Sequence, residues 1–415
     1  MDGTCEAGQF LTMTSSAPAS PVERAHRSAL RFVLLIGVVS LFADMTHEGA
    51  RGISGPFLGT LGASATIVAV VAGLGELLGY VLRYVFGYAA DRTGRYWPIT
   101  LIGYTLQMAV VPLLALAGSW QIAAVLIIGE RTGRAMRNPS RDAMLAHATQ
   151  ELGRGWVFGV REALDALGGT LGPLVVAAAL YFHGDFRTGF AILVVPALLT
   201  LVVLATARRQ YPHPSHLEVR EGVPDTRGIP RVFWIYLAGM ALIAAAYADY
   251  PLIAYHFGQS GVVGTDAIPV LYALAMATEA VAALVLGRLF DRIGLVTVIG
   301  ATVLTAFFAP LVFLGSAPLA VIGMVLWGLG MAAQESIVKA AVTGMVAADR
   351  RASAYVLFDT GFGIFWFLGS VALGILYDRS IVALVAFSVV LQLGAIPLLA
   401  VTARELARPR TRSAG

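Results

Sequence analysis

The sequence predicts an all-α membrane protein with twelve transmembrane helices in two pseudo-symmetric six-helix bundles. Three observations predict it. Of 415 residues, 58% are hydrophobic and 13% are charged, against about a quarter charged in a soluble domain. Apolar runs close to the roughly 20 residues that cross a bilayer recur along the whole chain. One turn also occurs twice: Gly87-Tyr88-Ala89-Ala90-Asp91-Arg92-Thr93-Gly94-Arg95 returns as Gly287-Arg288-Leu289-Phe290-Asp291-Arg292-Ile293-Gly294-Leu295. A duplicated turn at matching places in two apolar halves marks a membrane protein built from structural repeats.

The spans are read near 30–54, 64–90, 97–117, 120–145, 155–182, 188–206, 231–256, 266–290, 295–315, 318–346, 352–376 and 380–403. Residues 1–28 form an N-terminal tail, 29–206 the first bundle, 207–230 a linker, 231–404 the second bundle and 405–415 a C-terminal tail. The linker carries Tyr211-Pro212-His213-Pro214 and Gly222-Val223-Pro224 and reads as irregular. Alternate loops are rich in arginine: Arg92 and Arg95, Arg141 with Arg154, Arg208 and Arg209, Arg292, Arg350 and Arg351, and the C-terminal tail. The intervening loops, 59–63, 118–119, 183–189, 257–265, 315–318 and 377–380, are nearly bare. The positive-inside rule assigns the arginine-rich loops, the linker and both termini to the cytoplasm. The expected location is the cell membrane, a bacterial inner or plasma membrane, with multiple passes. No cleavable signal pattern precedes the first apolar run, so that helix is expected to be a retained anchor.

Composition excludes several classes. The single cysteine, Cys5, leaves no internal disulfide and no cysteine-based zinc site. The formal charge of +4 is spread over loops, where it sets topology, so nucleic acid is not expected as a partner. Lys339 is the sole lysine and follows Val338, which rules out a Gly-x4-Gly-Lys phosphate loop. Gly-x-Ser-x-Gly is missing as well. No metal, cofactor or enzymatic activity is expected.

Two six-helix halves with Gly-x3-Asp-Arg-x-Gly-Arg between spans 2 and 3 resemble the major facilitator superfamily. The resemblance covers all twelve spans; the second copy departs at Leu295, where the first has Arg95. It implies a transporter working by alternating access. It also implies a cytoplasmic gate formed by Gly87, Asp91, Arg92, Gly94 and Arg95 with Arg141, and by Gly287, Asp291, Arg292 and Gly294. On span 5, Gly159, Gly168, Gly172 and Pro173 match the family's antiporter-associated pattern, except that Val176 and Ala177 replace its closing Gly-Gly. Ordinary small-residue packing is the competing reading of those glycines.

Ionisable groups inside spans cost roughly 2.5–3.5 kcal/mol each on insertion scales, so they must face the bundle interior. Asp44, His47, Glu48 and Arg51 fall at i, i+3, i+4 and i+7, one stripe of span 1. Arg51 stands where a His-Glu-x-x-His metal motif needs histidine. A static ladder of Asp44 and Glu48 against Arg51 is the alternative to a proton-handling stripe. Span 2 supplies Glu76 and Arg83; span 4 supplies Glu130, Arg131, Arg134, Arg137 and Arg141; span 5 supplies Arg161, Glu162 and Asp165. Arg141 is expected near the cytoplasmic surface, paired with Asp91 or Asp142. The second half is sparser, with Tyr247, Asp249, Glu279, Glu335, Lys339 and Asp359 beside an aromatic surface. Glu335 and Lys339 have the i, i+4 spacing of a helical ion pair. This inventory suggests proton coupling in the first half and substrate contacts in the second.

The expected function is secondary active transport of a small polar or amphipathic solute, by proton-coupled export. Its partners would be that solute, protons and the lipid bilayer, with the protein acting as a monomer. Proton-symport uptake of an anionic or zwitterionic solute, such as an organic acid or siderophore, is the alternative. A membrane-embedded enzyme or a non-transporting sensor is the remoter one.

Overall fold

A computed structural model describes residues 21–152, 154–212, 229–347 and 350–407. Among these, helices dominate and cross the fold end to end in alternating directions. The first half comprises α1 (Pro21–Thr60), α2 (Ala65–Thr93), α3 (Tyr96–Leu113), α4 (Trp120–Leu152), α5 (Arg154–His183) and α6 (Phe186–Gln210). The second comprises α7 (Arg231–Ser260), α8 (Ala267–Ile293), α9 (Val296–Phe313), α10 (Ala317–Glu335), α11 (Arg351–Arg379) and α12 (Ile381–Ala407). Eleven of these segments are long and apolar enough to cross a membrane. The twelfth is α4, whose arginines lower its hydropathy; they point inward, with Arg137 and Arg141 almost wholly buried. The outer surface displays apolar side chains such as Leu116, Val125, Val202, Leu284 and Val390, as a lipid-facing wall requires.

Most of the expected tails and of the linker lies outside the described residues, and the helices extend further than the apolar runs. Helix α1 starts at Pro21, α6 runs to Gln210 and α12 to Ala407. Helix propensity does not stop at the bilayer edge, whereas hydropathy does. Four of the expected continuous spans are locally interrupted: α6 at Leu193, α7 at 247–249, α9 at 306–307, and the tenth span by one π-turn over Ala333–Ile337, where α10 passes into a further helix over Val338–Met345.

The break in α7 has a legible cause. Asp249 caps the restarted helix, its Oδ1 accepting from the Tyr250 N–H at 2.8 Å, and Pro251 follows in the first turn, where its missing N–H costs nothing. The turn after α2 ends on Gly94 at φ 63°, and the turn after α8 on Gly294 at φ 61°. Left-handed backbone favours glycine, which accounts for the last glycine of both turn copies.

Glycines also set how closely the helices approach. A Cβ on Gly168 or Gly172 would run into the backbone of Leu41 or Met45 on α1. Gly103 and Gly133 bring the α3 and α4 backbones together, each with the other's carbonyl oxygen within 2.8 Å of where a Cβ would stand. Gly159, the outer glycine of the span-5 pattern, faces open space. The pattern therefore splits: Gly168 and Gly172 seat α5 on α1, and Gly159 takes no part in that contact. Gly168→Ala and Gly172→Ala should each cost about 1–3 kcal/mol through overpacking. Gly159→Ala should stay within about 0.5 kcal/mol of wild type. Thermal unfolding of the purified protein checks both.

Candidate functional site

The stripe on α1 is buried where α1, α2, α4, α7 and α8 converge. It is not the self-contained ladder that its spacing allows. Asp44 binds Arg137 of α4 (Nη2 to Oδ1, 3.2 Å). Arg51 reaches Asp249 of α7 (2.7 Å) and lies 3.5 Å from Glu76 of α2, while its approach to Glu48 is a loose 3.9 Å. Glu48 accepts from the Tyr272 hydroxyl of α8 at 2.5 Å. Residues four apart on a helix point the same way, so a neighbouring helix facing them offers shorter contacts than they offer each other.

His47 is the centre of the cluster. Its Nδ1 lies 2.8 Å from Glu130 Oε1, so Nδ1 carries the hydrogen and donates to that carboxylate. Its Nε2 then accepts, and two guanidinium groups of α4 converge on it: Arg131 at 3.3 Å and Arg134 in a closer contact. Glu48 stands 3.5 Å from the same nitrogen. Arg131 continues to Glu76 (3.1 Å).

Behind His47, Glu130 accepts from Gln107 Nε2 at 2.6 Å. Gln107 Oε1 in turn accepts from Arg137 Nε at 2.6 Å. Arg137 also donates to the Tyr104 hydroxyl (2.9 Å), and its guanidinium stacks 4.6 Å over that ring. The close approach at Gly103 and Gly133 is what brings Tyr104 and Gln107 within reach of α4. A polar path thus runs from Asp44 through Arg137, Gln107, Glu130 and His47 to Arg134, which lies 3.8 Å from Glu48, and on to Tyr272, with Arg51 extending it to Asp249. Five carboxylates (Asp44, Glu48, Glu76, Glu130, Asp249) meet four guanidinium groups (Arg51, Arg131, Arg134, Arg137). By formal count of acidic and basic groups, with His47 taken as neutral, acids exceed bases by one.

The cluster touches open space on two sides. A small cavity lined by His47, Arg51, Ser54, Glu130, Arg131 and Pro251 adjoins it. Glu76 and Arg134, with side chains 21% and 30% exposed, are its most accessible members.

Residues 33–370 match the sequence profile of the Major Facilitator Superfamily. The chain belongs to that superfamily. An uncharacterized protein of Mycobacterium tuberculosis is 38% identical over 379 residues, covering 90% of this chain and 93% of its own. An uncharacterized MFS-type transporter of Methanocaldococcus jannaschii is 27% identical over 365 residues, covering 85% and 90%. A crystal structure of a peptide transporter, POT, in complex with sulfate superposes with TM-score 0.74 at 15% identity, covering 90% of this chain and 94% of that one. A nucleoside transporter, NupG, gives 0.72 at 14% identity, covering 88% and 99%. At such identities these structures speak to the fold alone. The protein is a multi-pass membrane transporter of the superfamily, not an enzyme.

In this superfamily member the remaining candidate residues are dispersed. Arg141 is not at a surface. It is buried in α4, bound to Asp142 (3.0 Å) and to the Ser40 hydroxyl (3.1 Å), and it does not engage Asp91. Arg161 pairs with Asp165 at 2.8 Å and sits 3.8 Å from Asp142. Asp91 is exposed and accepts only from the Tyr96 hydroxyl (3.0 Å) among the described contacts; Arg92, Arg95, Asp291 and Arg292 are exposed too. Asp359 accepts from Tyr84 of α2 at 2.7 Å. Tyr247 lies in an aromatic core with Phe308, Trp327 and Trp366, its hydroxyl donating to the Trp327 carbonyl. Glu162 and Glu335 are exposed and Glu279 is half-buried. The π-turn changes the spacing on which the Glu335–Lys339 pair was expected, and the Lys339 side chain lies outside the described residues.

The inventory of charges missed three contributors. Gln107 and Tyr104 are not acidic or basic residue types, yet both join the path, and their i, i+3 spacing on an apolar helix was the available signal. Tyr272 read only as aromatic surface. Arg137→Met should destabilise the protein by about 3–5 kcal/mol, because Asp44 is left buried without its counter-charge. Adding Asp44→Leu should restore part of that loss. A thermal-unfolding double-mutant cycle measures the coupling.

Proposed function

We propose that the protein is a secondary active transporter that couples movement of a small polar or amphipathic solute to protons through the His47 cluster, in the direction of export. The observation carrying this reading is the charge mismatch: five carboxylates against four guanidinium groups, with a neutral histidine among them. One added proton makes the cluster neutral. Delivered to His47 Nε2, it turns the acceptor for Arg131 and Arg134 into a donor, so neither guanidinium can hold its place. Arg134, already partly exposed, is the group free to swing away. Glu48 and Glu130, the acids beside the ring, then hold the imidazolium. A solute meeting Arg134 or Glu76 from the space between the halves would compete for the same partners, which links its binding to protonation.

The ends of the fold support alternating access. At the end carrying the bare loops the halves meet tightly: Gly59 lies against Tyr255 and Gly258 against Pro56, each 2.9 Å from where a Cβ would stand. At the arginine-rich end both Gly-x3-Asp-Arg turns are exposed. With the arginine-rich loops on the cytoplasmic side, as the positive-inside rule has it, the tightly packed end is the outer one and both termini lie in the cytoplasm.

The first bundle supplies most of the cluster, but Asp249 and Tyr272 belong to the second. Coupling on this reading is centred mainly in the first half, as the sequence inventory suggests, with Asp249 and Tyr272 extending it into the second.

Inverted membrane vesicles should accumulate labelled amphipathic and zwitterionic compounds only under an imposed pH gradient, acid inside. Accumulation solely in right-side-out vesicles would replace export by proton-driven uptake. His47→Gln should keep compound-for-compound exchange and lose gradient-driven accumulation; accumulation at the wild-type level would remove His47 from the coupling.

A further inference from the structure

The Gly-x3-Asp-Arg pattern occurs a third time, at the opposite end of the molecule. Gly374-Ile375-Leu376-Tyr377-Asp378-Arg379 closes α11 next to the bare loops. Unlike the two copies at the arginine-rich end, this one is engaged. Asp378 Oδ1 accepts from the Ala65 N–H (3.2 Å). Its Oδ2 accepts from the Thr66 N–H (3.0 Å) and the Thr66 hydroxyl (2.6 Å). Ala65 and Thr66 are the first two residues of α2, in the other half. The third N–H of that turn, Ile67, is taken by Ser64 (3.3 Å). The cap of α2 is therefore divided: its own half supplies one acceptor and the opposite half supplies the charged one.

Gly374 makes this reach possible. A Cβ there would stand 2.8 Å from Thr66 Cα and 2.7 Å from Ala69 Cβ. Corresponding Cβ atoms on Gly87 and Gly287 would meet only Pro139 at 3.4 Å and nothing within 4 Å. Tyr377 ties the same turn to α7 through His256 Nδ1 (3.0 Å), and α7 in turn packs on α1.

We propose that Gly374 and Asp378 form the latch that holds the bare-loop end closed, a helix-terminus lock between α11 and the start of α2. A carboxylate at a helix N-terminus gains from both hydrogen bonds and the helix dipole. Because donor and acceptor lie in different halves, the lock breaks as a unit when the halves separate there. The proposal rests on the alternating-access reading and adds the residues that set the balance between the two states.

The test uses the full-length protein with Cys5→Ser and a reporter, Ser54→Cys, which lines the cavity beside the cluster. A membrane-impermeant maleimide is applied to right-side-out and to inverted vesicles. Asp378→Ala and Thr66→Val should each raise labelling from the bare-loop side about five-fold and slow it from the other side. Arg379→Gln, whose side chain takes no part in the lock, should match wild type. Gly258→Trp, a wedge against Pro56, should open the same end without touching the latch. Opening by the wedge with unchanged labelling in Asp378→Ala and Thr66→Val overturns the latch and leaves alternating access standing. No opening even by the wedge overturns both. Should Asp378→Ala fail to reach the membrane, Thr66→Val reads the same quantity with one bond removed.

Discussion

Nine ionised side chains packed between apolar helices must find partners of opposite sign, and most of the architecture follows from that requirement. An unpaired charge held away from water costs several kcal/mol, more than any single helix contact returns. The cluster around His47 meets the requirement by drawing on six helices, α1, α2, α3, α4, α7 and α8. That is why Gly103 and Gly133 must let α3 approach α4, bringing Tyr104 and Gln107 to Arg137 and Glu130. It also explains the break in α7: an uninterrupted helix would have no free turn at which Asp249 could both cap and meet Arg51.

The same requirement couples the halves. Arg51–Asp249 and Glu48–Tyr272 cross between them deep inside the fold, and Asp378 crosses between them at one end. These contacts differ in how they can be exchanged. The inner pairs sit among several alternative partners, so a proton or a solute group can redistribute them. The outer cap has a single set of donors and a yes-or-no geometry. In the proposed mechanism the inner network would carry chemical information, and the cap would register whether the end is shut.

Much of the fold is legible in the sequence because hydropathy, glycine and arginine report on one dimension. A lipid environment leaves few alternatives for an apolar run of twenty residues. Gly94 and Gly294 announce left-handed turns, and arginine-rich loops alternate with bare ones. The stripe of Asp44, His47, Glu48 and Arg51 is also visible, since helical spacing alone places it on one face. Helix α4 is legible as well, although its arginines hold it below a hydropathy threshold: the cost of a charge facing lipid directs them inward, and Arg131, Arg137 and Arg141 are buried.

Spacing supplied Arg161–Asp165 and offered Asp142 to Arg141, but it did not supply the partners within the central cluster. Arg51 and Glu48 lie three apart, yet each makes its shortest contact on another helix, and Arg141, placed near a surface by its position in the run, is buried against Asp142 and Ser40. Gln107 and Tyr104 carry no charge and so escape any census of ions, though they complete the path between Arg137 and Glu130. The third Gly-x3-Asp-Arg copy has the letters of the first two, and only its position against α2 separates a turn that caps a helix of the other half from two that do not. The sequence by itself determined the helices, their alternation and which faces carry charge, because those depend on local periodicity and on the solvent each segment prefers. The tertiary structure decided the pairings, because an ion pair forms with whichever opposite charge the packing brings within about 3–4 Å, and that distance depends on how closely neighbouring helices can approach.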